Sequence, residues 1–574
     1  LAPDVMRLSR AHAVAAGIER ALAPFRANGD GIHVVGAPEV RVASWDVVGR
    51  DLRTMLPLLA LVVAAVPLLF FGSPGAIVFP LALAALTTAV TLLAHRLFAG
   101  PLSALEMLLV PLIWSVSTLD AMHVYSRVRR RGPGHAASLA LPCLLTSLTT
   151  AAGLGALAVQ GESRLLASFG LWGAVGTCIA YALTFTLGRP MLGTARSRRR
   201  PPRWPSRFAA AVVRLSERHR MAALAGWGTL LLAAAVGAAF LHVEIRYPEV
   251  FAADEPAARD MAAVRDALGT DLMPLEICLE PTDEHGRLPL ALANAVLAVS
   301  HYLHTLPETR AVLPRDLLDA DPNDPRMHQR GSLEEALRNL AKDPQVAPWV
   351  RFDLGAARVQ AHFAPHPLAR REEIQAWLRH FGATMLAHHR LTLAGPAASY
   401  EKAERRGARG ALLGGMLSLL AMAAALGWAF RRARVFVAAI AGNLAPMLLV
   451  LGLMGALRIP WSLAMLPLPA VLLGLAVDDT IHLLWPLRKG KADLARGALR
   501  SGPPVLATTA VLVGSVATLA LSALTPNREL GLLLGAGLVL ALGCDLSLVP
   551  ALLAGPRCSV GDGGRVSKGD HAMP

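Results

Sequence analysis

The amino-acid sequence predicts a polytopic α-helical membrane protein, a tandem repeat of six-helix halves with about 11 helices present and an α+β domain outside the membrane. Three observations predict it. Hydrophobic residues make up 54% of the 574 residues and charged residues only 17%, where a soluble protein carries roughly 25% charged, and the mean hydropathy is +0.46. Apolar runs long enough to cross a bilayer recur along the chain. The two halves also share one register of residues. These features exclude a soluble enzyme, a disordered tail protein and a collagen-like fibre.

A spanning helix needs roughly 20 mostly apolar residues. Such runs fall at 54–71, 76–97, 102–126, 139–160 and 166–192, then at 221–242. After a long polar region they resume at 410–430, 434–456, 461–486, 503–524 and 529–554. The chain starts at Leu1, and its first 30 residues lack the apolar core of a signal peptide, so it is expected to begin partway into something larger.

The net charge of +15, from 56 Lys plus Arg against 41 Asp plus Glu, raises nucleic acid as a partner, and the placement of the bases removes it. Arg127, Arg129, Arg130 and Arg131 follow the third span; Arg431, Arg432 and Arg434 link the seventh and eighth; Arg488, Lys489, Lys491, Arg496 and Arg500 follow the ninth. A further basic stretch, from Arg196 to Arg220, follows the fifth. Strict alternation puts all of these loops on one side, which the positive-inside rule makes cytoplasmic. The expected organisation is therefore a remnant of a first outside domain at 1–50, a five-helix block at 51–192 and a basic cytoplasmic linker at 193–220. The first helix of the second half follows at 221–242, a second outside domain at 243–408, another five-helix block at 409–555 and a cytoplasmic tail at 556–574.

The repeat fixes the architecture. A shift of 359 (479 less 120) maps Gly36 onto Gly395, Pro101 onto Pro460, Ser103 onto Ser462, Asp120 onto Asp479 and His123 onto His482. Further on, a shift of 362 (504 less 142) pairs Pro142 with Pro504 and Thr146 with Thr508. Both copies keep their direction, which six helices per copy allow and five do not. The first copy lacks one helix and most of its outside domain, expected N-terminal to Leu1. Parallel repeats of this kind suit transporters with a path between the halves.

The outside region reads as a soluble fold. Residues 274–280 alternate like a strand, 289–305 form an amphipathic helix, 357–364 a second strand, 370–387 a helix and 390–395 a strand. This β-α-β…β-α-β order predicts two layers with helices on one sheet face. Residues 315–350, rich in Asp and Pro, read as a loop or inserted subdomain.

Ionisable residues inside the spans are the exceptional ones, since each costs a few kcal/mol at the bilayer centre. The third span carries Asp120 and His123; the ninth carries Asp478, Asp479 and His482. Asp120 and His123, like Asp479 and His482, are three residues apart and share a helical face. Clustered, partly desolvated carboxylates cannot all ionise cheaply, so such a group exchanges protons. Thr146 and Ser147 in one copy, and Thr508 and Thr509 in the other, are candidate hydroxyl partners on neighbouring helices. Against this stands the plainer reading that the histidines snorkel to water and the hydroxyls only pack helices. Glu106 and Asp545 are further intramembrane polar groups, without counterparts in the repeat, and Asn443 reads as a bond across helices.

Nothing in the sequence asks for a cofactor. The five cysteines show no CxxC spacing and three lie in apolar runs, so neither a disulfide framework nor a zinc site follows. His301-x-x-His304 has no carboxylate or cysteine fixed nearby. No P-loop, HExxH or GxSxG motif appears, which argues against ATP-driven transport by this chain.

The stretch Gly474-Leu-Ala-Val-Asp478-Asp479-Thr-Ile-His482, preceded by the Pro-rich 467–473, resembles the fourth helix of the second half in resistance-nodulation-division transporters. It resembles in particular the MMPL and Patched-like hydrophobe exporters, whose five-helix block is also called a sterol-sensing domain. The resemblance implies ferredoxin-like outside domains and proton-driven export of lipids or other hydrophobic compounds from a bacterial inner membrane. Gly474 would be the motif glycine, and Asp478, Asp479 and, through the repeat, Asp120 the proton relay, with His123, His482, Thr146, Thr508 and Thr509 as its partners. The first half departs from the pattern: Ser115 stands in the glycine slot and Leu119 in the first Asp slot.

The implied partners are protons, a lipid-like substrate and membrane lipids, with the number of subunits left open. Two other readings compete. A sterol-sensing lipid sensor without pumping would not need charge at membrane depth. An intramembrane aspartyl protease would also want two aspartates on separate helices, yet the duplication and outside domain argue against it. The orientation is directly testable: in intact cells Arg199→Cys should resist an impermeant thiol reagent while Asp321→Cys should label. Labelling in the reverse pattern would overturn the topology.

Overall fold

The computed structural model describes residues 8–28, 31–100, 102, 106–159, 164–192, 202–242, 250–313, 349–351, 353–364, 368–462, 465–489 and 494–554. The basic cluster 196–200, residues 315–348 of the expected insert, Pro101, Ser103 and the tail at 556–574 lie outside these. Among the described residues eleven helices are long and apolar enough to cross a membrane, the number the hydropathy pattern predicts. After α1 (Leu8–Ala27), the first block comprises α2 (Ala37–Phe71), α3 (Gly75–Phe98), α4 (Leu109–Arg131), α5 (Ala140–Val159) and α6 (Arg164–Leu192). The stretch read as a linker contains a helix, α7 (Trp204–Arg218), which leads into α8 (Arg220–Ala238).

The α/β domain supplies α9 (Pro256–Leu268), β1 (Leu275–Pro281), α10 (Pro289–Thr305), β2 (Thr309–Leu313), β3 (Val350–Arg351), β4 (Ala356–Phe363), α11 (Leu368–Met385) and β5 (His389–Ala394). The second block is α12 (Gly395–Ala429), α13 (Ala433–Ala456), α14 (Leu468–Leu484), α15 (Leu494–Ala517) and α16 (Thr525–Gly543). A π-helical turn at Cys544–Leu548 carries α16 on into α17 (Val549–Leu553).

Two spans are longer than their apolar runs. Helices α2 and α12 each hold 35 residues, which at about 1.5 Å per residue is roughly 50 Å, well beyond a hydrocarbon core of roughly 30 Å. Their first turns are polar, so a hydropathy window starts late, at 54 and 410. Both begin at repeat-equivalent glycines, Gly36 and Gly395. At Gly395 the backbone is left-handed (φ 88°), and an added Cβ would lie 2.7 Å from Glu276 Cγ. No other residue type permits so abrupt a passage from β5 into the helix.

Burial ranks the helices. In α14 94% of the spanning window is enclosed by protein and in α4 72%, against 11% for α8, so α14 and α4 form the centre and α8 the rim. Leu61, Leu93, Phe98, Leu232 and Leu420 lie exposed on outer faces, as expected where lipid is the solvent. Helix α7 buries Pro205, Ala209, Ala210 and Val213 against α15, where an added Cβ at Gly502 would meet Ala209 Cβ at 2.6 Å.

The sheet runs in the order β2-β4-β1-β5, with β3 paired to β4 and every pairing antiparallel. Strand β4 thus lies between β1 and β2, and β1 between β4 and β5. Two split β-α-β units interleave in this way, the ferredoxin-like arrangement. Both helices cover one face: Leu292, Val296, Val299 and Leu303 of α10 and Ile374 and Leu378 of α11 bury against Ile277, Leu279, Val359 and Ala361. Near the N-terminus, Val47 of α2 packs with Phe251 and Met261, and Arg50 pairs with Glu255 at 2.8 Å. The Ala523 N–H (3.2 Å) and the Ser522 hydroxyl both donate to Asp51, which ties α2 to the α15–α16 connection.

The domain has its own core, and its histidines predict how it responds to acid. Burial holds His362 and His389 below the ordinary histidine range. Asp283, bonded by His388, sits below the usual carboxylate range. For the histidines the unfolded chain binds more protons once pH falls below about 6.5, so stability is lost there. Asp283 loses its contribution in the same direction, at lower pH. Residues 250–400 expressed alone should therefore unfold cooperatively as a mixed α/β domain, with a lower urea midpoint at pH 5 than at pH 7.5. An equal or higher midpoint at pH 5, or a purely helical circular dichroism spectrum, would contradict this.

Candidate functional site: a carboxyl cluster between the repeats

The site lies where the two copies meet, and small residues let them meet. Helix α5 of the first copy crosses α14 of the second at Gly153 and Gly474. An added Cβ at Gly153 would lie 2.7 Å from the Ala470 carbonyl oxygen and 3.3 Å from Gly474 Cα; one at Gly474 would lie 3.3 Å from Thr150 Cα. The Thr150 hydroxyl donates to the Gly474 carbonyl at 2.7 Å. Small residues at such a crossing allow close backbone approach, which sustains helix packing in lipid. The motif glycine is thus a packing requirement, and Gly153 is its partner.

This approach closes a buried cluster around α4 and α14. Asp120, His123, Asp478, Asp479 and His482 are all 7% exposed or less. Ser147 of α5 donates to Asp120 Oδ2 at 3.0 Å. In the second copy Thr509 of α15, the repeat counterpart of Ser147, donates to Asp479 Oδ2, and the Thr508 hydroxyl reaches Asp479 Oδ1 at 3.0 Å. The His123 and His482 rings, also repeat counterparts, stack at 3.6 Å between centroids with an interplanar angle of 13°. The pseudo-two-fold relation of the copies therefore passes between these two rings.

The structure refines the sequence reading at three points. His482 Nε2 faces Asp478 Oδ1 at 3.5 Å, an i, i+4 pair, whereas the sequence reading grouped it with Asp479 at i, i+3. One helical turn of 3.6 residues brings the i+4 position closer to register. Thr146 bonds the Cys143 carbonyl on its own helix at 2.9 Å. Among the described residues both Asp478 carboxyl oxygens and His123 Nε2 are buried without a hydrogen bond of normal geometry, and Asp478 is approached by His482 instead.

Two participants escaped the sequence reading. Cys143 sits with its Sγ 4.0 Å from His482 Nε2; the visible signal was its place one turn before Thr146 on the same face of α5. Asp545 was set aside for want of a repeat counterpart, yet it is 1% exposed and ends a polar chain beside Asp479. Asn443 donates to Thr480 Oγ1 at 2.9 Å, and Thr480 donates to Asp545 Oδ1 at 2.6 Å. By contrast Glu106 is closed off elsewhere, against His95 Nε2 at 3.1 Å and the Ser168 hydroxyl.

Chemically, the cluster can take up and release a proton or a cation. The ligand-type atoms of Asp120, Cys143 and His482 lie within 4.8 Å of one another, as do those of His123, Asp478 and Asp479. A cavity of about 840 Å³, lined by arginines, opens from the end of the bundle opposite the α/β domain and reaches His123 and His482.

No protein-family model matches the chain, and no curated protein matches it in sequence. Solved structures do match. The chain is similar to the hedgehog release protein Disp from the water bear Hypsibius dujardini, with 13% identity and a TM-score of 0.66 over 89% of this chain and 71% of that one. A translocon-associated membrane protein, SecDF from Thermus thermophilus, aligns at 16% identity and a TM-score of 0.48 over 88% of this chain and 62% of that one. Its super-membrane-facing form aligns at 15% and 0.49 over 90% and 62%. The chain therefore shares the fold of the Disp structure.

The crossing at Gly153 gives a stability prediction. Gly153→Leu should destabilise the protein by about 1–3 kcal/mol through overpacking, read as a lower thermal-unfolding midpoint in detergent. Gly155→Ala, whose Cβ would find its nearest neighbour at 4.0 Å, should be neutral or slightly stabilising. Equal midpoints for the two variants would refute the close crossing.

Proposed function

We propose that the chain is a secondary active transporter, not an enzyme, which uses the proton-motive force to export lipids or other hydrophobic or amphiphilic compounds across a bacterial inner membrane. The observation that carries this reading is the enclosure of Asp120, Asp478 and Asp479 between two repeats, in the interior of spanning helices. Carboxyls at membrane depth are expensive, and they mark ion or proton pathways where they are retained. A passive lipid sensor has no use for three of them.

In this reading a proton reaching Asp479 replaces a charge with a neutral acid and alters what the Thr508 and Thr509 hydroxyls bond. Asp120 and Ser147 do the same across the interface, and the stacked histidines couple the two halves. Each proton step then changes the contacts that hold the repeats together, which is how a gradient can drive alternating access. The arginine-rich loops support a cytoplasmic position for that end and the C-terminus, with the α/β domain outside. Fold kinship with Disp, a release protein, supports an outward direction. Protons, membrane lipids and a hydrophobic substrate are the expected partners, and no nucleic acid is among them.

Asp479→Asn keeps size and hydrogen bonding but fixes the charge at zero. In proteoliposomes under an imposed proton gradient, Asp479→Asn and Asp120→Asn should each reduce efflux of lipophilic fluorescent probes to the background of empty vesicles, with folding and insertion intact. Asp478→Asn should do less, because Asp478 has no counterpart in the first copy, where Leu119 fills its slot. Undiminished gradient-driven efflux in both of the first two variants would retire the relay and favour the lipid-sensor reading.

A further inference from the structure

The cavity at the arginine-rich end has a composition that the proton relay does not explain. Its lining brings together Arg127, Arg130 and Arg131 from the end of α4, Arg488 from the turn after α14, and Arg500 from the start of α15. Among the described residues the lining includes no Asp or Glu, while Ser126, Ser138 and Ser501 add hydroxyls. None of the five guanidinium groups forms an ion pair with another described residue. Five cations around one space repel one another unless an anion joins them.

Several of these groups are held in place. Arg130 Nη1 donates to the Arg500 carbonyl at 2.6 Å, a bond between the two copies. The Arg488 guanidinium lies 5.0 Å from the Trp485 ring centre and 5.2 Å from that of Trp428. Ordinary positive-inside loops need only carry Lys and Arg somewhere near the membrane. Here three separate segments converge on one cavity, with donors already oriented. The repeat relation does not impose this, for Arg500 answers to Ser138 in the first copy.

We propose that this cavity binds a phosphate group. Guanidinium forks match phosphate oxygens in pairs, and about 840 Å³ accommodates a headgroup with room to spare. The cavity lies at the ends of membrane-spanning helices, and basic pockets between membrane helices recognise anionic phospholipids. A soluble phosphate compound offers the same chemistry. The site also matters for the relay, on the reading proposed above: a ring of fixed cations before His123 and His482 opposes the passage of protons, and a bound phosphate offsets it.

The experiment measures binding without any proton gradient, so its outcome is independent of whether the chain pumps. The full chain is placed in phosphatidylcholine nanodiscs with or without roughly one-fifth cardiolipin, and the lipids retained on release are counted by native mass spectrometry. A parallel arm titrates inorganic phosphate and follows thermal unfolding. The Arg131→Gln/Arg500→Gln double variant alters the cavity. Arg431→Gln/Arg432→Gln removes equal charge from an exposed loop at the same end. The proposal expects retained cardiolipin to fall about tenfold in the first variant and not in the second, consistent with loss of oriented charge-assisted contacts. An Arg131→Lys/Arg500→Lys variant, which restores the charge, should recover retention and so exclude misfolding. Protection by inorganic phosphate with no cardiolipin retained assigns the same cavity to a soluble phosphate. Equal loss in both Gln variants, or no binding by either ligand, overturns the proposal.

Discussion

Within a bilayer no water answers a buried polar group, so the protein itself must supply every partner or enclose the group completely. That constraint organises this molecule. Asp120 and Asp479 need hydroxyl donors, and these come from the next helix of the same copy, α5 for one and α15 for the other. Neither pair is shut off from lipid until the two copies close on each other. Closure in turn depends on two backbones passing at Gly153 and Gly474, where a side-chain carbon would collide at Gly153 and be tight at Gly474. Helices such as α8, which carry no such burden, can stay at the rim.

The two copies answer the constraint unequally. Asp479 has two threonine hydroxyls within reach and Asp120 one serine. Thr146, the counterpart of Thr508, bonds its own helix instead. Asp478 has no equivalent, since Leu119 fills its slot, and its carboxyl faces His482. The glycine of one crossing, Gly474, corresponds to Ser115, and Gly153 corresponds to Ser515. A duplicated fold has thus kept its helix directions while its two polar centres have become chemically distinct.

Much of this was legible in the sequence because it depends on local composition. Hydropathy finds eleven spans because a bilayer-crossing helix must be apolar over a fixed length. The strand and helix periods of the α/β domain survive because one face of each element is buried: 274–280 became Leu275–Pro281, and 289–305 became Pro289–Thr305. Where an element leaves the membrane that signal stops, so the outer turns of α2 and α12 and the amphipathic α7 went unread. The residues of the cluster were visible as charges out of place. Their pairing was not, because the Cys143–His482 and Thr480–Asp545 contacts join residues 339 and 65 positions apart, and no spacing rule reaches across that distance.

The difference between α14 and α4 shows how local polarity dictates position in the bundle. In α14 Asp478, Asp479 and Thr480 are consecutive, and successive residues turn by about 100°, so their side chains sweep some 200° of the helix circumference. Asp478 points to His482, Asp479 to α15, and Thr480 to Asn443 of α13 and to Asp545 in the π-helical turn. Such a helix has no face to give to lipid, and it is the most enclosed of the eleven, at 94%. The corresponding triplet in α4 is Leu119-Asp120-Ala121, with one polar direction, and α4 is enclosed to 72%. The π-turn itself fits this demand. A widened helical turn is less stable than an α-helical one and persists where it re-aims a side chain, and here it carries Asp545 inward to Thr480 of α14.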